Sequence, residues 1–310
     1  MAMIELRRLR AFVALAEEGH VTRAAERLGM QQPPLTRLLR GLEAELGVLL
    51  MRRLPRGVRP TEAGLALLEE ARAVLARADG VAEVVRRAAA GEQGRLMVGF
   101  TSSAALHPFV PAVLRRFRES VPGVAVTLEE AGTSELVDAI LHERLDAAFV
   151  RSPVGSTAGL LLDAVLEEPM LAALPAGHAL AADADAPLPL SALAREPFIL
   201  YRRPASPGLY DAILTACRAA GFSPLVAQEA PRLPATLSLV AAGLGVSVVP
   251  ASMRRLGGDD IAYRALADTP SLTAPLHLAM RQAHLPAAVV RLRTLVREMV
   301  PAKTMASVKP

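Results

Sequence analysis

The stretch from Thr22 to Gly64, TRAAERLGMQQPPLTRLLRGLEAELGVLLMRRLPRGVRPTEAG, constrains this chain more than any other. Just upstream, Leu6, Leu9, Phe12, Val13 and Ala16 recur at helical spacing and predict a support helix closed by Gly19. Thr22 is placed to cap a second helix whose inner face is Ala24, Ala25 and Leu28. Gly29 permits a sharp turn. Pro33 and Pro34 fit only a first helical turn, so a third helix is expected from about Gln32 to Leu46, with Leu35, Leu38, Leu39, Leu42 and Leu46 inward. Its outer face carries Gln31, Gln32, Thr36, Arg37 and Arg40, side chains that can hold phosphates or read base edges. Beyond Gly47, two short extended runs flank Leu54-Pro55-Arg56-Gly57 and predict a wing that presents Arg53 and Arg56. Helix, turn, basic helix and basic ribbon in this order predict a winged helix-turn-helix, mostly α, over residues 1–60.

The charge distribution agrees. Residues 1–60 hold 11 arginines against six glutamates, a net of +5, while the whole chain carries only +4. The excess positive charge therefore sits on the motif, as binding to double-stranded DNA requires, and the other 250 residues are close to neutral.

The 310 residues are enough for two or three folded units, and 52% hydrophobic residues are enough for real cores. With 3% aromatics and no tryptophan, Leu, Val and Ala must do the packing. No apolar run reaches membrane-spanning length and no secretory signal is legible, so a cytoplasmic protein with no membrane partner is expected. The single Cys217 reads as a small buried residue. The six histidines show no ligand spacing, so neither metal nor cofactor is expected.

Residues 61–90 read as one long linker helix. Leu68, Ala71, Leu75, Ala78, Ala82, Val85 and Ala89 alternate at spacings of three and four and predict a seam for a second copy. Gly91–Gly94 forms a hinge. Strands and helices then alternate, which predicts a parallel sheet with covering helices. One lobe is expected over 95–164 and 271–300, a second over 165–270, and a tail over 301–310.

The N-terminal motif resembles that of the LysR-type transcriptional regulators. The residues that carry the likeness are Arg23–Leu28, Gln32-Pro33, Leu42–Gly47, Arg53, Gly57-Val58 and Thr61–Gly64. Gln31, Pro34 and Arg52 depart from the usual pattern. The resemblance implies a bilobal α/β effector domain similar to type 2 periplasmic binding proteins. It also implies a partly palindromic operator, a homo-oligomer (dimer or tetramer) and RNA polymerase as a partner.

Ligands of open α/β sheets bind beyond the carboxyl ends of strands. Polar residues cluster at several such ends here: Ser102 and Ser103 after the first strand, Thr133 after the second, Arg151 after the third. Arg202 and Arg203 follow a strand in the second lobe, Pro207 and Leu209 open the next helix, and Arg232 follows another strand. This set predicts a site for a small organic anion. Gly99–Ser103, Glu130–Thr133, Phe149–Arg151, Ile199–Tyr201 and Leu239–Ser252 resemble the muconate- and benzoate-responsive branch of the family. That branch implies an aromatic or dicarboxylic acid, with Ser103, Thr133 and Arg151 on its carboxylate and Pro207 and Leu209 along its apolar side. The alternatives are a regulator without a small-molecule response and a solute-binding protein. An enzyme is not expected: Ser103 and His107 lie four residues apart, but no third partner is placed and no GxSxG elbow exists.

Overall fold

In the computed structural model, which describes residues 3–55, 57–151, 158–182, 186–256, 258–269 and 271–300, the chain forms two units, residues 1–86 and 87–310. The first holds α1 (Leu6–Glu18), α2 (Val21–Arg27), α3 (Gln32–Leu46), β1 (Met51–Leu54), β2 (Gly57–Pro60) and most of α4 (Glu62–Ala89). Gly19 closes α1 in the left-handed region, at φ 61°. The cap of α2 is His20 rather than Thr22: the His20 ring nitrogen accepts the Thr22 N–H at 3.3 Å. The Thr22 hydroxyl is thereby free to accept from Gln32 Nε2 at 3.0 Å, which fastens α2 to α3.

Leu9, Phe12, Leu15, Ala24, Leu35, Leu42 and Leu50 form the core of this unit. Ala71 and Leu75 of α4 are buried in the same cluster, and Leu68 packs against it. The first half of the expected seam is therefore spent on the chain's own core. Arg72 of α4 donates twice to Glu17 of α1 (3.0 and 2.9 Å), and Arg10 pairs with Asp79. Glu43 joins α3 to the ribbon, its Oε1 accepting the N–H groups of Leu50 (2.9 Å) and Met51 (3.2 Å). The Val58 N–H bonds the Gly19 carbonyl at 2.9 Å, and Gly57, at φ 111°, lies so close to that carbonyl that no side chain fits.

The second unit contains β3 (Gly94–Phe100), α5 (Ser102–Leu106), α6 (Phe109–Ser120), β4 (Val124–Glu130), α7 (Thr133–Leu141), β5 (Ala147–Arg151) and β6 (Leu160–Pro175). There follow β7 (Leu188–Pro189), β8 (Pro197–Tyr201), α8 (Pro207–Ala219), β9 (Leu225–Ala230), α9 (Leu233–Ala241), β10 (Ser247–Pro250), β11 (Ile261–Ala267), β12 (Thr273–Arg281) and α10 (Ala287–Met299). The sheet is mixed rather than parallel. Its order is β4-β3-β5-β12-β6-β11-β7, with β10 also on β6. The β3, β4 and β5 pairings are parallel, whereas β12 runs antiparallel to both β5 and β6. β6 serves both lobes: residues 160–169 pair with β12, and the remainder pairs with β10 and β11.

Each lobe has its own core. Val98, Val113, Phe117, Phe149, Leu278 and Leu292 fill one, and Phe198, Leu209, Ile213, Cys217, Leu237 and Val248 fill the other. Burial pushes the Cys217 thiol up to about 11, so the group is an inert packing residue. Asp163 of β6 receives two bonds each from Arg293 and Arg297 of α10. Burial raises its pKa, but the two guanidiniums outweigh burial and hold it below 3.8, the ordinary aspartate value.

Two outcomes follow from this packing. Leu75→Ala is expected to destabilise the first unit by about 2–5 kcal/mol, as a core truncation does, read by denaturant unfolding. A residue serving only a partner helix would leave the unfolding midpoint unchanged on dilution to monomer. The Asp163 clamp acts at acid pH. Its folded pKa is depressed, so its stabilisation is complete above the unfolded value and fades as pH falls through the folded one. Asp163→Asn is expected to cost roughly 1–2 kcal/mol at neutral pH and to flatten the acid limb of the stability curve. Parallel acid limbs for variant and wild type would contradict this.

Candidate nucleic-acid interface and ligand cleft

On the first unit the arginines separate into two sets. Arg8, Arg10, Arg23, Arg27 and Arg72 are held in ion pairs with neighbouring acids. Arg37 and Arg40 of α3 and Arg52, Arg53 and Arg59 of the ribbon are exposed, and no acid pairs with them among the described residues. Arg52 and Arg59 face one another across the β1–β2 pairing. Like charges in that position repel, which an adjacent phosphate relieves. Gln31 and Gln32 are exposed at the start of α3, and Thr36 is half-buried one turn on. Arg56 lies outside the described residues.

The second unit has a cleft between its lobes. Thr101, Ser102, Ser103, Ala131 and Gly132 line one side, and Tyr201, Ala205, Ser206, Arg232 and Leu233 line the other. Its free volume is about 20 Å³, room for one water and little more. The lobes nearly touch at Gly132, where a Cβ would stand 3.0 Å from Ala205 Cα. Thr101 caps α5 by accepting the Ala104 N–H at 3.3 Å. Ser102 Oγ donates to Glu130 at 2.6 Å.

Arg151 does not face the cleft as a free cation. It is fully buried and ion-paired with Glu168 of β6. Three further N–H groups donate to Ser103 Oγ (3.2 Å), the Ser103 carbonyl (3.2 Å) and the Ala274 carbonyl (2.8 Å). Burial lowers its pKa and Glu168 opposes that shift. Glu168 also accepts the Ser252 N–H at 2.7 Å and the Ser252 hydroxyl at 3.0 Å. The pair thus ties the end of β5, α5, β6, β12 and the segment after β10 into one buried network beneath the cleft. Thr133 is likewise occupied: its hydroxyl is buried and donates to the Arg151 carbonyl at 3.2 Å.

In the second lobe Arg203 is committed to Asp211 through two bonds of 2.8 and 2.6 Å. Arg202 is exposed and does not line the cleft. Pro207 and Leu209 are buried, and Leu209 belongs to the lobe's core with Ile213 and Cys217. The reason is helical phase. Ser206 is the cap residue and α8 begins at Pro207, so its first inward positions point into the core while Ala205 and Ser206 reach the cleft. Of the expected ligand residues, Ser102, Ser103 and Arg232 line the cleft; Thr133 and Arg151 lie just behind it; Arg202, Arg203, Pro207 and Leu209 do not reach it.

Sequence reasoning missed Ser206, although a serine followed by proline is a helix-start signature. It also missed Glu168, 17 residues from its partner Arg151, and the pairing of Glu135 with Arg232, 97 residues away, although Glu135 three residues after Gly132 has the spacing of a helix-start cap. Glu135 Oε2 accepts the Gly132 N–H at 2.6 Å and pairs with Arg232 across the cleft at 3.2 Å. The Gly132 N–H chiefly, and Arg232 with it, hold this carboxyl below the usual glutamate range. Both side chains are more than a third exposed, so the pair contributes about 0–1 kcal/mol. No nucleophile–base pair exists at Ser103 and His107: Ser103 Oγ accepts from Arg151, and His107 Nδ1 accepts the Phe109 N–H at 3.2 Å. A larger groove, about 1140 Å³, lies along α6 and β4, but it is lined mainly by apolar side chains and holds none of these donors.

A helix-turn-helix with a basic ribbon, joined to a two-lobed sheet domain, defines a DNA-binding regulator with a ligand-binding type of domain. Residues 6–65 match the bacterial regulatory helix-turn-helix proteins of the lysR family, and residues 89–301 match the LysR substrate binding domain. The chain belongs to the LysR family. It is 37% identical over 279 residues to the HTH-type transcriptional regulator BudR of Raoultella terrigena, covering 90% of this chain and 95% of BudR. It is 36% identical over 295 residues to the HTH-type transcriptional regulator CatR of Pseudomonas putida, covering 95% and 99%. The crystal structure of full-length CbnR complexed with its target DNA superposes with a TM-score of 0.81 at 30% identity, over 96% of this chain and all of CbnR. The protein is a LysR-family transcriptional regulator with a substrate-binding domain, not an enzyme. Among the described residues no helix is long and apolar enough to cross a membrane.

The buried pair carries its own prediction. Removing one partner strands the other charge, so Glu168→Gln and Arg151→Ala are each expected to destabilise the second unit by about 3–5 kcal/mol. Thermal unfolding checks this. Unfolding unchanged from wild type would show that Arg151 is not a structural residue.

Proposed function

We propose that this regulator reads its operator with α3 and the ribbon and is switched by a small organic anion bound between the lobes of the second unit. The unpaired arginines support the first part. Arg37 and Arg40, with Gln31, Gln32 and Thr36, present donors along one helix, and Arg53 with Arg56 would hold the flanking backbone. Arg37→Ala is expected to cost roughly 1–3 kcal/mol, unevenly across operator variants. Arg53→Ala is expected to weaken all sequences alike and to reduce the salt slope by about one contact. Gel-shift affinities unchanged in both variants would overturn this docking face.

The convergence of Ser102, Ser103, Ser206 and Arg232 with the start of α7 supports the second part. Thr133 and Arg151 act from behind, by positioning Ser103 and the β5 end. The resemblance of Gly99–Ser103, Glu130–Thr133 and Phe149–Arg151 to the muconate- and benzoate-responsive branch supports an aromatic or dicarboxylic acid, but the cleft has a free volume of only about 20 Å³, so such a ligand requires the lobes to part. A ligand touching both lobes favours whichever lobe arrangement gives it more contacts. Thermal shift of the full chain against a panel of small carboxylates tests this, since a ligand at 100 times its Kd adds about 2.7 kcal/mol. No shift with any carboxylate would favour a regulator that acts by DNA binding alone.

Assembly is expected to use the outer face of α4. Val74, Val81 and Val85 are exposed, Ala78 is half-exposed, and with Ala88 they recur at spacings of four and three. This stripe is rotated from the one read in the sequence, because Leu68, Ala71 and Leu75 face the chain's own core. Pairing there would place two α3 helices on successive half-sites. Val81→Glu is expected to lower the mass seen by light scattering while leaving the fold intact. An unaltered mass would move the interface elsewhere.

A further inference from the structure

We propose that Ser206 and Arg232 form the second-lobe half of the anion site and that Glu135 is an internal carboxylate holding Arg232 until a ligand carboxylate replaces it. The proposal rests on reading the cleft as an anion site. Two observations carry it independently. Ser206 Oγ is buried, lines the cleft and has no hydrogen-bond partner among the described residues. A buried hydroxyl left unpaired is costly, and it marks a place where a polar group is missing. The second observation is the Glu135–Arg232 pair, which bridges the two lobes at the cleft mouth.

The exchange needs the lobes to part slightly, since the cleft has a free volume of about 20 Å³, but it costs few bonds. Glu135 has another function, accepting the Gly132 N–H in front of α7, and it keeps that bond when Arg232 leaves. Its pairing with Arg232 is exposed to water and therefore weak. A carboxylate in the cleft would reach Arg232, the Ser206 hydroxyl and the first-turn N–H groups of α7, which by helix geometry have no partner inside the helix. It would thus make more bonds to the second lobe than Glu135 makes. Glu135 also repels an incoming anion, so it sets a threshold that a ligand must exceed.

The test is calorimetry on the full chain with acetate, pyruvate, succinate, benzoate and cis,cis-muconate, for wild type, Glu135→Gln, Arg232→Gln and Ser206→Ala. Glutamine keeps an oxygen for the Gly132 N–H and gives up the charge. For whichever carboxylate binds wild type, Glu135→Gln is expected to bind about tenfold tighter, Arg232→Gln more than about tenfold weaker, and Ser206→Ala about fivefold weaker. The opposite signs are the signature: an ion pair serving only to hold the lobes together would move both charge variants the same way. Equal or weaker binding by Glu135→Gln, or unchanged binding by Ser206→Ala, overturns the assignment and leaves the anion site standing. Absence of binding in both wild type and Glu135→Gln, with all variants folded by thermal unfolding, overturns the anion reading of the cleft and this assignment with it.

Discussion

The second unit depends on the ion pair of Arg151 and Glu168. A buried guanidinium is tolerable only when its donors find acceptors, and here a carboxylate, a hydroxyl and two carbonyls take four of its five N–H groups. Those acceptors come from α5, β6 and β12, and Glu168 extends the set to Ser252. The elements that shape the cleft floor are therefore tied together through one buried charge. β6 runs through both lobes at this point, so the network lies on the strand they share.

The contrast with the cleft mouth is one of solvent. Arg151 and Glu168 are shut away from water and hold each other firmly, whereas Glu135 and Arg232 are open to it and exchange partners at little cost. The same ion-pair chemistry thus gives a rigid floor and a replaceable latch, according to burial. The first unit uses the same division. Arginines beside Glu17, Glu18 and Glu45 bind the helices together, and those on α3 and the ribbon have no acid partner among the described residues.

How far the site was legible follows from the range of the signal. Ser102, Ser103 and Arg232 stand at strand ends, and strand ends are visible as a change from apolar to polar residues. Arg151 was equally visible, but its role was not. Its partner is 17 residues away, beyond the expected strand boundary, so a free cation and a buried one read alike. Pro207 and Leu209 were misplaced by the phase of one helix: α8 opens at Pro207 as expected, but from that start Leu209 turns into the core, and it is the buried cap residue Ser206 that lines the cleft. The first half of the α4 seam was misread similarly, since Leu68, Ala71 and Leu75 repeat as a partner-facing stripe would, and only their packing in the core of the first unit shows that this part is occupied.

What the sequence determined by itself is the winged helix-turn-helix, its basic face and the alternation of strands and helices in two lobes. These rest on local periodicity, caps and turns, which short stretches encode. The tertiary structure alone decided the mixed sheet carried by β6, the side of α4 left exposed, and which arginines are free. Each of these depends on groups remote in the chain meeting in space, where desolvation decides whether a charge is paired inside or offered outside.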